Sequence, residues 1–139
     1  MRLASALQYC LPGVPCIYYG DEAGMEGYRD PFNRGCYPWG QEDPELLAWY
    51  RQLGRLRKVA EALKEGAFIP LAQTGNALCF ERRDGGSALL CAVNRGDAEA
   101  AFSLPEIWAN RTVNLGDGQV EGDLLRLPPL GCAILIENG

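Results

Sequence analysis

GVPCIYYGDEAGMEGYRDPFNRGCYPW, residues 13–39, changes character at one glycine. Before Gly20, residues 14–19 are an unbroken apolar run. A strand buried on both faces of a parallel sheet reads as such a run rather than as an alternation. Residues 14–19 therefore predict an inner strand. After Gly20 the chain becomes a long polar loop carrying Asp21, Glu22, Glu26, Arg29, Asp30 and Arg34, with Tyr28, Phe32, Tyr37 and Trp39 among them. In a (β/α)8 barrel the loop that follows a strand lies on the active-site face. Loops longer than roughly 12–15 residues without structure of their own are functional or disordered. The aromatic residues argue against disorder.

The flanks extend this reading. Residues 2–10 place Leu3, Ala6, Leu7 and Cys10 on one face of a helix, and Leu11-Pro12-Gly13 stops it. Pro15 is acceptable only near the start of a strand, because it cannot donate to a ladder. Downstream, Asp43-Pro44-Glu45 is a helix start. Asp43 can accept from orphan N–H groups, Pro44 suits the first position, and Glu45 suits the positive end of the dipole. Apolar residues then recur at helical spacing from Leu46 to Leu63, which predicts a helix over 45–63 ended by Gly66. Trp49 and Tyr50 belong to its core-facing stripe. Gly54 inside the helix costs up to about 1 kcal/mol against alanine, which predicts a close neighbour there.

Beyond Gly66 the period shortens. Strands are expected at 67–71, 77–82, 88–94, 99–104, 112–115, 120–127 and 132–136. Gly75-Asn76, Asp84-Gly85-Gly86, Gly96-Asp97 and Gly116-Asp117-Gly118 are the turns between them. Short strands at this spacing argue an antiparallel sandwich. The expected fold class is mainly β: an antiparallel β-sandwich over 66–139, preceded over 1–65 by an α/β stretch of the strand–loop–helix kind that a (β/α)8 barrel repeats.

Composition removes several classes of function. Of 139 residues, 47% are hydrophobic and 22% charged, so the chain can build a core. The net charge of -5 argues against a nucleic-acid partner. There is no histidine, which excludes histidine-based triads and the usual mixed zinc sites within this chain. The six cysteines form no C-x-x-C pair, and Cys79, Cys91 and Cys132 sit in apolar runs as small hydrophobes. Neither a cofactor nor a metal is expected. No apolar run approaches about 18 residues and no signal peptide is evident, so no membrane partner is expected and the expected location is cytoplasmic.

Asp30-Pro31-Phe32-Asn33-Arg34 carries chemistry of its own. The residue before a proline avoids helical dihedrals and proline suits a first helical position, so Asp30 reads as an N-cap of one helical turn. Positions 30 and 34 then share a side. A carboxylate accepts from sugar hydroxyls, and a guanidinium donates through a rigid fork. Tyr28, Phe32, Tyr37 and Trp39 offer faces for a sugar ring. The same two residues serve equally as an N-cap and an Asp30–Arg34 ion pair bracing the loop. Asp21 and Glu22, adjacent on an extended segment, would point to opposite sides and are poor candidates to flank one bond.

The stretch LPGVPCIYYGDEAGMEGYRDPFNRGCYPW, residues 11–39, resembles the eighth strand and following loop of glycoside hydrolase family 13, the α-amylase family, in its neopullulanase and cyclomaltodextrinase group. The resemblance continues more loosely to the C-terminus, with 45–63 as the last barrel helix and 66–139 as the family's C-terminal sandwich. It implies retaining hydrolysis of α-glucosidic bonds in maltooligosaccharides, cyclodextrins or pullulan-like glucans. The nucleophilic aspartate, the acid glutamate and the stabilising aspartate of the family lie on earlier barrel strands, so no catalytic residue is assigned to this chain. Asp30 and Arg34 match the family positions that bind substrate beside the cleaved bond. Glu22 matches an acid at the strand exit, serving as cleft wall or as a carboxylate bonded to a neighbouring strand. Tyr28, Phe32 and Trp39 are further candidates for the cleft wall. The implied partners are an α-glucan oligosaccharide and the upstream barrel of the parent protein. Self-association through residues 14–19, or disorder of the loop from Gly20 to Asp43, is expected of the chain alone. A non-catalytic carbohydrate-binding or structural sandwich module and an α-glucan transferase are the alternative readings.

Overall fold

Residues 77–94 and 132–138 supply the middle of the molecule. The computed structural model describes residues 1–138. The helices are α1 (Arg2–Cys10), α2 (Pro44–Val59) and α3 (Ala62–Glu65). The strands are β1 (Ala67–Thr74), β2 (Ala77–Asp84), β3 (Ser87–Asn94), β4 (Ala100–Ser103), β5 (Leu115–Gly116), β6 (Gln119–Glu121), β7 (Leu124–Leu127) and β8 (Cys132–Asn138). They form a five-stranded antiparallel sheet, ordered β1-β2-β3-β8-β5, and a three-stranded one, ordered β4-β7-β6.

Central strand β3 is covered on both faces. Leu89, Cys91 and Val93 face the helices, together with Phe80 of β2 and Ile134 of β8. Ala88, Leu90 and Ala92 face the small sheet, together with Phe102, Leu125, Leu127 and Trp108. The result is three layers: helices, large sheet, small sheet. Side chains of α1, α2 and α3 share one hydrophobic cluster with β2, β3 and β8. Two-residue loops close the first two hairpins, pairing Thr74 with Ala77 and Asp84 with Ser87. Gly75 and Gly85 lead them at φ 53° and 50°, a region where a side chain is disfavoured.

Several polar groups inside the layers find partners, although Ser87 Oγ at the start of β3 is buried without one. Trp108 Nε1 donates to Glu81 Oε2 at 2.8 Å, and Trp49 Nε1 donates to Ser5 Oγ at 2.9 Å. Asn94 Nδ2 donates to the carbonyls of Ala98 and Pro128, while its Oδ1 accepts from Gly96 N. One side chain thereby ties β3 to the connections on either side of the small sheet.

Several sequence expectations need correction. Residues 14–19 form no strand, and Val14 is 93% exposed. An inner parallel strand exists only through hydrogen bonds to two neighbours, and the described residues offer this segment none. The helix expected over 45–63 stops at Val59, and α3 resumes after a break at Ala60, whose backbone is extended. Gly54 has open space around it rather than a close neighbour. The strand expected at 112–115 shrinks to Leu115–Gly116. The run 120–127 folds back on itself as β6 and β7, turning at residues 122–123.

Candidate functional site

The loop stands on two supports. At one end Gly20 and Gly24 bracket a single 3-10 turn, Asp21–Ala23. At the other, Asp43 caps α2, its Oδ1 accepting from Glu45 N and Leu46 N at 3.0 and 2.9 Å. The two ends meet where Asp43 N donates to Ala23 O at 3.0 Å. A polar loop of this length thus has its base pinned to the N-terminus of α2.

Within it, Asp30 and Arg34 come together as the sequence anticipates. Arg34 Nε lies 2.6 Å from Asp30 Oδ1, with side chains 67% and 61% exposed. The local backbone differs from the expectation. Phe32 N donates to Arg29 O and Arg34 N to Pro31 O, so residues 29–34 form two successive turns rather than a helical turn capped by Asp30. The turns still bring positions 30 and 34 to one side.

The aromatic candidates are turned outward. Tyr28, Phe32 and Trp39 are all exposed, and Trp39 packs against Tyr37 with ring centroids 4.6 Å apart. Phe32 also borders a concavity of about 120 Å³ with Tyr18, Tyr19, Asp21, Met25 and Asn33. Tyr19 and Phe32 thus border one concavity, and the exposed Asp30–Arg34 pair flanks Phe32 in sequence without lining it.

Glu22 is not on an extended segment; it lies in the 3-10 turn beside Asp21. Its Oε2 is buried without a hydrogen-bond partner, as is Oδ1 of Asn33. Burial, followed by the Glu22 carboxylate, raises the Tyr9 phenol above its ordinary range. Burial also raises Tyr50, with Asp21 next in effect and Glu22 contributing. Glu22 thus faces the α1–α2 side of the loop, whereas Asp30 and Arg34 face solvent. Buried acceptors without partners are uncommon in folded proteins and call for a donor.

Arg57, Arg82 and Gln8 were not singled out by sequence. Each donates to backbone carbonyls between Tyr9 and Cys16, where the chain leaves α1 for the loop. A legible signal existed for Arg82: it falls two positions after Phe80, on the face of β2 that covers the helices.

No family model matches the chain. Curated relatives do. It is 37% identical over 119 residues to an amylopullulanase of Thermoanaerobacter thermohydrosulfuricus, which covers 86% of this chain and 8% of that protein. It is 32% identical over 138 residues to a cyclomaltodextrinase of Thermoanaerobacter pseudethanolicus, covering 97% of this chain and 24% of the relative. Its fold superposes on a debranching enzyme from Nostoc punctiforme with a TM-score of 0.85 at 29% identity, over 96% of this chain and 30% of that one. The chain therefore spans less than a third of any of these three proteins.

Proposed function

We propose, from the premise that this chain belongs to the α-amylase family and corresponds to the C-terminal part of its members, that it forms one wall of the substrate cleft of a glycosidase acting on α-glucans. In this reading Asp30 and Arg34 bind a glucose unit beside the cleaved bond. Tyr28, Phe32 and Trp39 line the approach, and the reacting carboxylates come from preceding barrel strands. Retaining cleavage needs two carboxyl groups roughly 5–5.5 Å apart across the bond, and the residues of this loop are not assigned that role. The amylopullulanase and cyclomaltodextrinase relatives point to maltooligosaccharides, cyclodextrins or pullulan-like glucans as the substrate class. Association with a preceding barrel, and self-association through residues 14–19 when that barrel is absent, belong to the same proposal.

The observation that carries the reading is the Asp30–Arg34 pair held in the open, in a loop whose Tyr28, Phe32 and Trp39 rings are also exposed. An ion pair this exposed contributes only about 0–1 kcal/mol to stability. Bracing is therefore a weak reason for the arrangement, while both groups remain free to meet a ligand. The test is Asp30→Ala and Arg34→Ala in the full-length enzyme, assayed on long and short maltooligosaccharides. Losing a charge-assisted hydrogen bond to a sugar costs roughly 1.5–3 kcal/mol, which is about ten- to a hundredfold in kcat/KM. The loss should shrink for a substrate too short to fill the subsite. A loss independent of chain length, with a lowered Tm, would refute sugar binding and support bracing.

A further inference from the structure

Helix α1 ends under two guanidinium groups. The last carbonyls of a helix have no partner inside it and carry the negative end of its dipole. Here Arg57 of α2 donates through Nη1 to Tyr9 O at 2.7 Å and through Nη2 to Gly13 O. Arg82 of β2 donates through Nη1 to Cys10 O at 3.1 Å, and through Nε and Nη2 to Gly66 O at 3.1 and 2.8 Å. Gln8 Nε2 adds a bond to Cys16 O at 2.6 Å. Three elements thus converge on the backbone that leads into the loop.

The arrangement is costly in isolation. Arg82 is 2% exposed. Among the described residues, no carboxylate lies within ion-pair distance of either guanidinium. Burial lowers the Arg82 pKa, and the neighbouring Arg57 charge lowers it further. A buried charge facing a like charge persists only where its hydrogen bonds compensate. All of those bonds go to carbonyls at the exit of α1 and at Gly66, where the large sheet begins.

We propose that Arg82 and Arg57 are positioning residues for the glucan-binding loop, setting the point and direction in which residues 14–19 leave α1. The inference rests on the functional reading above. It also gives the sandwich a share in the cleft: Arg82 is rooted in β2, yet it holds Cys10 O at the end of α1. The base of the loop is then set from both ends, by these arginines before it and by the Ala23–Asp43 contact after it.

Two measurements test this. The first uses the chain itself and no sugar. Cys10 is fully buried beneath the carbonyl that Arg82 holds, Cys91 and Cys132 are buried in the sheet, and Cys16 is exposed on the lead-in. Pulse alkylation read cysteine by cysteine should show Cys10 labelling roughly ten- to a hundredfold faster in Arg82→Gln, and measurably faster in Arg57→Gln. Cys91 and Cys132 should keep their wild-type rates. Unchanged Cys10 protection in both variants, or a rise of the sheet thiols in step with Cys10, would overturn the clamp. The second uses the full-length enzyme. Arg57→Gln should raise KM for a long maltooligosaccharide more than it lowers kcat, with little effect on a short one. Arg82→Lys, which keeps the charge, should retain more activity than Arg82→Gln. Equal losses on both substrates would overturn the positioning role. If Asp30→Ala shows no dependence on chain length while Cys10 is released as expected, the functional reading fails and the clamp stands.

Discussion

Asp30 and Arg34 are legible as a pair because they stand four positions apart and proline stiffens the turn, yet their backbone is not. The residue types predict the meeting of charges; they do not distinguish a helical turn from two successive turns, since both bring positions 30 and 34 to one side. The cysteines were read more fully, because their neighbours in sequence are apolar. Cys10, Cys79, Cys91 and Cys132 are buried as free thiols, and Cys16 and Cys36 are exposed. Burial pushes Cys79 up to about 12 and Cys132 up to about 11, and the neighbouring Cys10 thiol, followed by burial, raises Cys91. The thiolate is the reactive form. At pH 8 the folded chain should therefore take up label at Cys16 and Cys36 only, and at all six positions in denaturant. Rapid native labelling of Cys79 or Cys132, read by mass spectrometry, would contradict the burial of those strands.

At the scale of elements, α2 shows what local chemistry decides and what it does not. Asp43-Pro44-Glu45 is a complete start signal, and the structure shows both cap hydrogen bonds. Asp43→Ala should cost about 0.5–2 kcal/mol, seen as a lower midpoint in urea. The break at Ala60 carried no comparable signal, because alanine favours helix and only the packing of Ala60, Ala62 and Leu63 into the shared core argues for it. Gly54 was misjudged for the opposite reason: its cost in a helix is intrinsic, but a crowded neighbour is only one cause of tolerating it. Nothing lies within 4 Å of a Cβ added there. Gly54→Ala should stabilise this chain by up to about 1 kcal/mol, raising Tm by roughly 2–4 °C. A fall in Tm would show that an unseen neighbour packs against that face. Likewise, β3 was legible because a continuous apolar run in a sandwich must be covered on both sides, whereas β5 was not, since two residues of edge strand leave no pattern.

At the scale of the whole molecule, residues 14–19 expose the difference between a sequence written for one environment and the environment this chain provides. The run is apolar throughout, as an inner strand requires, and the structure leaves it unpaired beside α1. Val14, Ile17, Tyr18 and Tyr19 are exposed, and Tyr18 and Tyr19 border one concavity with Phe32 of the loop. Burying apolar area contributes about 25 cal/mol per Å², and an unpaired strand-forming segment recruits other chains. The edge of the large sheet is a poorer surface for such pairing: β1 is interrupted by Pro70 and a register shift beside it. Association should therefore run through residues 14–19 rather than through the sheet edge. Light scattering of the chain alone should show a mean mass that rises with concentration. Val14→Lys with Ile17→Lys should flatten that rise, while Phe68→Lys on β1 should leave it unchanged. A strict monomer at every concentration, or association that survives the first pair of substitutions and is lost with the third, would overturn this account. Joined to a preceding barrel, the same residues should lose their exposure, and the association should disappear without any substitution.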